Sequence, residues 1–153
     1  MAKTTKKSPA KKKNSKTEKI RAMFESISDP EKAEALIDEL YSENCVFQDP
    51  IQRTEGREAL KSMMRRTGQK MGNVRTKFLG TTESPEAIAL HWEMTFKPPL
   101  SPAPLTLPGV SWMELGKDGR CTRHIDYWDF MRLSDQALPP LKLFHDLLRK
   151  AVG

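Results

Sequence analysis

Two aspartates stand where their neighbours could turn a carboxylate into a reagent. Asp49 closes the segment CVFQD, and a period of two puts it on one face with Cys45 and Phe47. Asp126 shares a face with His124 and Trp128 in the segment HIDYWD. A carboxylate against apolar neighbours loses hydration and becomes more basic than in water, which suits it to proton transfer or to anchoring the polar end of a ligand. Each has a plainer reading as well. An Asp before Pro50 accepts backbone N–H bonds and starts a turn. The face of His124, Asp126 and Trp128 belongs either to a cavity or to an outer, dimer-forming surface. The opposite face, with Cys121, Ile125, Tyr127 and Asp129, is apolar enough to leave both open.

Spacing argues against other chemistries. His91, His124 and His145 have no H-x-x-x-H spacing and Cys45 and Cys121 no C-x-x-C spacing, so no metal site is expected. The eight glycines are scattered and make no phosphate loop. No metal or organic cofactor is implied. Met63, Met64 and Met71 read as core. His91 and Glu93 alternate with Leu90, Trp92, Met94 and Phe96, so the apolar set should face inward and the polar pair outward.

The elements that must position these residues follow from periodicity. Ile20 to Ile27 and then Pro30 to Tyr41 read as two short helices, the second capped by Asp29. Cys45 to Asp49 is a strand, and Gly56 to Met71 a third helix. Strands are expected over Val74 to Thr82, Ala87 to Lys97, Leu105 to Leu115 and Arg120 to Phe130. The proline-rich stretch PPLSPAPLTLP should be a stiff rim loop without central pairing. Leu141 to Val152 reads as a closing helix. Helices first and then an antiparallel run of strands make an α+β plan.

At 153 residues the chain holds one domain and a tail. No run approaches the roughly 18 apolar residues of a membrane span. The net charge of +6 is uneven, because Met1 to Lys19 carries eight Lys and one Glu, net +7, which leaves −1 for the rest. Residues 1–19 have no large apolar group after Met1 and are expected to be a disordered tail. Lys6, Lys7, Lys11, Lys12 and Lys13 would meet nucleic-acid phosphates weakly and without sequence preference, or direct a eukaryotic chain to the nucleus; a solvated extension is the plain alternative. With no apolar stretch of an export signal, Cys45 and Cys121 are expected to be reduced and the address cytoplasmic.

Three stretches, LYSENCVFQDPIQRTEGREALKSMMRR, GKDGRCTRHIDYWDF and LPPLKLFHDLLRK, together resemble the nuclear transport factor 2-like superfamily, in its SnoaL-like and ketosteroid-isomerase-like branch. The resemblance spans about Ile20 to Lys150. It implies that residues 20–153 form a cone, in which a curved antiparallel sheet is closed by three helices of the N-terminal half around an internal pocket, with a C-terminal helix added. It also implies a domain that binds a small apolar molecule, with isomerase, cyclase or hydrolase chemistry at a cavity carboxylate, and a homodimer as the assembly. Asp49 matches the proton-shuttling base of ketosteroid isomerases, whose two oxyanion donors fall here on Met23 or Phe24 and on Ser111. Asp126 matches a catalytic carboxylate of limonene epoxide hydrolases, with His124 as a second polar group. The Arg-x-Asp pair of those enzymes falls on Trp92 and Met94, or, shifted by one, on His91 and Glu93. Phe47, Trp92, Trp112, Tyr127 and Trp128 are the expected wall residues. The competing expectation is a non-catalytic module whose sheet dimerises and whose tail binds a polyanion.

Overall fold

The computed structural model describes residues 15–97, 103–137 and 139–152. Helix α1 (Lys16–Glu25) leads into α2 (Pro30–Leu40), then β1 (Tyr41–Gln48), β2 (Arg53–Glu55) and α3 (Arg57–Lys70). Four long strands follow: β3 (Gly72–Glu83), β4 (Ala87–Lys97), β5 (Leu105–Leu115) and β6 (Cys121–Trp128). Helices α4 (Phe130–Ala137) and α5 (Pro139–Val152) close the chain.

The first helix starts earlier than its apolar pattern suggests. The Ser15 hydroxyl accepts the backbone N–H of Glu18 at 3.2 Å, which caps α1. Lys16 then donates to the Gly119 carbonyl at 2.5 Å, and Thr17 to Glu83 at 2.6 Å. The expected tail boundary at residue 19 is therefore corrected: Lys16 to Lys19 form a polar first helical turn, which hydrophobic periodicity cannot register. Residues 1–14, with Lys6, Lys7, Lys11, Lys12 and Lys13, lie outside the described residues.

The sheet has the strand order β2-β1-β6-β5-β4-β3. Its pairs are antiparallel except β1 and β6, which run parallel with Phe47 opposite His124. The all-antiparallel expectation is corrected there. The chain leaves the β1–β2 ribbon through α3, crosses to the far edge and returns strand by strand, so β6 arrives beside β1 in the same direction. Strand β2, unexpected from its short polar sequence, is folded back on β1 by the turn at Asp49. The rim expectation for the proline-rich stretch is corrected in its last residues, since β5 pairs with β4 from Leu105 and places Pro108 opposite Glu93. Pairing with β6 begins only at Gly109 opposite Trp128, so Pro108 interrupts no β5–β6 ladder. Residues 98–102 of that stretch lie outside the described residues.

The expected closing helix is α5, begun two residues earlier than Leu141, and an unexpected helix, α4, precedes it, so that the strand expected to run to Phe130 ends at Trp128. Asp129 accepts the N–H of Arg132 at 2.9 Å and caps α4, while Pro139 and Pro140 suit the first turn of α5. Helix α5 is held to α4 by Asp135, which meets His145 at 2.5 Å and Arg149 at 2.6 Å. Helices α1 to α3 cover one face of the sheet, where Ile20, Phe24, Ile37, Leu60, Leu90 and Met113 are among the buried core residues. No helix among the described residues is long and apolar enough to cross a membrane.

Candidate functional site

A cavity of about 320 Å³ lies between α1, α3 and the inner face of the sheet. That is the lower end of the roughly 300–1,000 Å³ range of ligand clefts. Its walls include Phe24, Phe47, Leu60, Met63, Trp92 and Trp128, and the exposed Ile51, Arg66 and Lys70 mark its mouth. Strand alternation explains the apolar lining. Ile88, Leu90, Trp92 and Phe96 of β4 are buried, and Leu105, Leu107, Ser111 and Met113 of β5 point the same way. Trp92 lies flat because its cross-strand partner is Gly109, where a Cβ would come within 2.3 Å of the indole.

Five buried or half-buried side chains form one hydrogen-bonded chain along this wall. The Trp92 indole donates to the Ser111 hydroxyl at 2.8 Å, and Ser111 donates to Oδ1 of Asp126 at 2.5 Å. Nε2 of His124 meets the same oxygen at 2.8 Å, and its Nδ1 meets the Tyr41 hydroxyl at 2.8 Å. Burial pushes the Tyr41 phenol well above its usual pKa, with Cys121, Asp126 and Cys45 adding to the effect. Tyr41 therefore stays protonated, and Oδ1 of Asp126, a carboxylate oxygen that can only accept, takes the N–H of His124 Nε2. Phe47 stacks edge-on against that imidazole, with ring centroids 5.1 Å apart.

Asp126 thus takes two donors on Oδ1, and its Oδ2 has no hydrogen-bond partner among the described residues. The side chain is 15% exposed and belongs to the cavity lining. Asp49 also reaches the cavity, but both its oxygens are engaged. Oδ1 accepts the N–H groups of Ile51 at 2.8 Å and Gln52 at 2.9 Å, and Oδ2 accepts the Gln52 amide at 3.1 Å. This is the Asx-turn arrangement that folds β2 onto β1.

Of the residues expected from sequence, Asp49, Asp126, His124, Phe47, Trp92 and Trp128 all line the cavity. Trp112 and Tyr127 do not: they are 42% and 57% exposed on the outer face of the sheet, one position out of phase with Ser111 and Asp126. Counting faces could not settle β6 because its register against β5 shifts near Leu115, so Cys121 and His124 are both buried although three residues apart. Tyr41 was the residue missed as a site member, read as the last turn of a helix although it opens β1. His91 is exposed, and Glu93 faces Lys77 across the strands at 3.9 Å. Among the described residues no cluster of His, Cys, Asp and Glu could hold a metal ion. Burial pushes both thiols up, that of Cys121 further, with Cys45 adding to it.

A family model for the SnoaL-like domain matches residues 18–124. No curated protein matches the chain significantly in sequence. Among solved structures, a candidate SnoaL-like polyketide cyclase from Jannaschia is 14% identical, covering 88% of this chain and 97% of that one with a TM-score of 0.69. A hypothetical protein of ketosteroid isomerase-like fold from Catenulispora acidiphila, in complex with trimethylamine, is 15% identical over 78% of this chain and 92% of its own, with a TM-score of 0.67. An LEH-like epoxide hydrolase from M. tuberculosis is 15% identical, covering 84% and 93%, with a TM-score of 0.65. At these identities the likeness establishes the nuclear transport factor 2-like cone.

Proposed function

We propose, from the premise that this chain belongs to the SnoaL-like domain family, that it binds a small, largely apolar molecule in the cavity and uses Asp126 as the carboxylate that meets the molecule's polar end. His124 and Ser111 hold Asp126, Tyr41 holds His124, and Phe47, Trp92 and Trp128 form the apolar walls. The observation that carries this reading is the asymmetry of the Asp126 carboxylate: one oxygen is fixed by two protein donors, and the other is left to the cavity. Such a group is positioned to accept a proton in isomerase-, cyclase- or hydrolase-type chemistry. Asp49, bonded at both oxygens to its own turn, is the poorer base and a structural element of the cavity mouth.

A nitrobenzisoxazole tests this directly. It surrenders its ring C–H proton to a base while its N–O bond breaks, giving a coloured cyanophenolate without help from an oxyanion donor. Saturable turnover is expected, lowered by about 100-fold or more in Asp126→Asn, as for loss of a general base, and little changed in Asp49→Asn. Turnover indifferent to Asp126→Asn would overturn the assignment.

Val110, Trp112 and Tyr127 support a homodimer through the outer face of the sheet. They are exposed apolar residues on neighbouring strands, with Val110 opposite Tyr127 and Trp112 opposite Ile125. Sedimentation of the chain should then show a dimer that Trp112→Glu dissociates. We place the protein in the cytoplasm, with the Lys-rich residues 1–14 as a weak, salt-sensitive contact for nucleic acid.

A further inference from the structure

The hydrogen-bonding capacity of the cavity wall is one-sided. The N–H of Trp92 is used by Ser111, the O–H of Ser111 by Asp126 and the Nε2–H of His124 by Asp126, while the Tyr41 hydroxyl and Nδ1 of His124 are taken up by each other. Within this hydrogen-bonded chain, the polar atom left without a partner among the described residues is an acceptor, Oδ2 of Asp126. No Arg or Lys side chain pairs with the Asp126 carboxylate among the described residues, and its nearest basic neighbour is His124. The cationic lining residues, Arg66 and Lys70, are exposed at the mouth. The walls beside Asp126 are aromatic: Trp128 lies two residues away on the same strand face, and Phe47 and Trp92 complete the lining.

A carboxylate oxygen left open among aromatic faces selects a ligand that is apolar in bulk and cationic at one point. Resting on the cavity reading above, we infer that the molecule bound there is a lipophilic amine, held as its ammonium ion with the N–H on Oδ2 of Asp126 and its alkyl groups against Trp128, Phe47 and Trp92. The aromatic faces attract the ammonium through their quadrupoles, and the carboxylate offsets the desolvation of the charge. A carbonyl or an alkoxide in the same place would set its oxygen against the Asp126 carboxylate oxygen, acceptor against acceptor.

Two molecules of nearly identical shape separate charge from bulk. N,N-dimethylbenzylamine is a cation at neutral pH and isobutylbenzene is its uncharged isostere, and both are titrated into the full chain by calorimetry. The amine should bind at least about tenfold more tightly, in keeping with a desolvated cation–aromatic and charge-assisted contact. The preference should vanish when the pH passes the amine's own pKa, and again in Asp126→Asn, which should still bind isobutylbenzene. Should that variant not fold, the comparison of the two ligands across pH on the unaltered chain decides. Equal affinity for both ligands, or a preference that survives in folded Asp126→Asn, overturns the amine inference and leaves the cavity reading standing. Binding of neither removes both.

Discussion

Asp126 and Asp49 are the same side chain in two hydrogen-bonding environments, and their free valences decide what each can do. Asp49 has three protein donors and closes a turn; Asp126, a cavity-lining residue, has two donors on one oxygen and none on the other among the described residues. The same accounting predicts the fate of an unconjugated ketosteroid. Its isomerisation builds negative charge on oxygen, which must be met by preorganised donors. Met23 and Phe24 can offer none, and the Ser111 hydroxyl already points at Asp126. Losing one such donor costs about 100 to 1000-fold in rate, so an assay of steroid isomerisation should show little turnover; efficient turnover abolished by Asp49→Asn would reverse the roles given to the two aspartates. At this scale the sequence was informative about Phe47, Trp92 and Trp128, since aromatic residues on alternating strands tend to line an interior. It was uninformative about Tyr41 and placed Ser111 as an oxyanion donor rather than as the support of Asp126, since both roles come from hydrogen bonds between residues 83 and 15 positions apart.

Strands β4 and β5 follow their apolar alternation from end to end, and their packing hinges on one contact. Trp92 reaches Ser111 only because Gly109 leaves room beneath the indole. Gly109→Ala should overpack this wall, lowering stability by about 1–3 kcal/mol in a denaturant melt and displacing the indole from Ser111. An unchanged melt with native Trp92 fluorescence would contradict this. The C-terminal pair depends instead on charge. Arg149 and then His145 hold the Asp135 carboxyl below its ordinary value of 3.8. A depressed carboxyl contributes stability above its unfolded pKa and loses it as the pH falls through the folded one. Helix α5 should therefore stay on α4 at neutral pH and loosen below about pH 3.8, as it should in Asp135→Asn at pH 7, with faster amide exchange confined to α5. Uniform exchange across the molecule would show that the ion pairs do not govern docking. What periodicity missed here was short or polar: the first turn of α1, three-residue β2, and α4, whose start is set by the Asp129 cap.

For the molecule as a whole, the described fold begins at Ser15. Removing residues 1–14 should leave the melting temperature within a few degrees, because that cut spares every contact of α1 named above. Removing residues 1–19 deletes the Ser15 cap, the first turn and the Thr17–Glu83 bond, and should cost about 1–2 kcal/mol. Equal melts for the two truncations would show that the first turn of α1 adds nothing. Fold class, the three helices of the N-terminal half and the strand count after α3 were legible in sequence, whereas the parallel β1–β6 contact depends on how the chain crosses between sheet edges. The central claim, that the cavity between helices and sheet is the binding site, has a built-in reporter in three tryptophans of different placement. Trp92 and Trp128 line the cavity, and Trp112 stands on the outer face. A nitrogen–proton correlation spectrum of the intact chain, titrated with isobutylbenzene, should show the indole signals of Trp92 and Trp128 shifting saturably together while that of Trp112 stays in place. Movement of Trp112 alone, or of none of the three, would contradict the account.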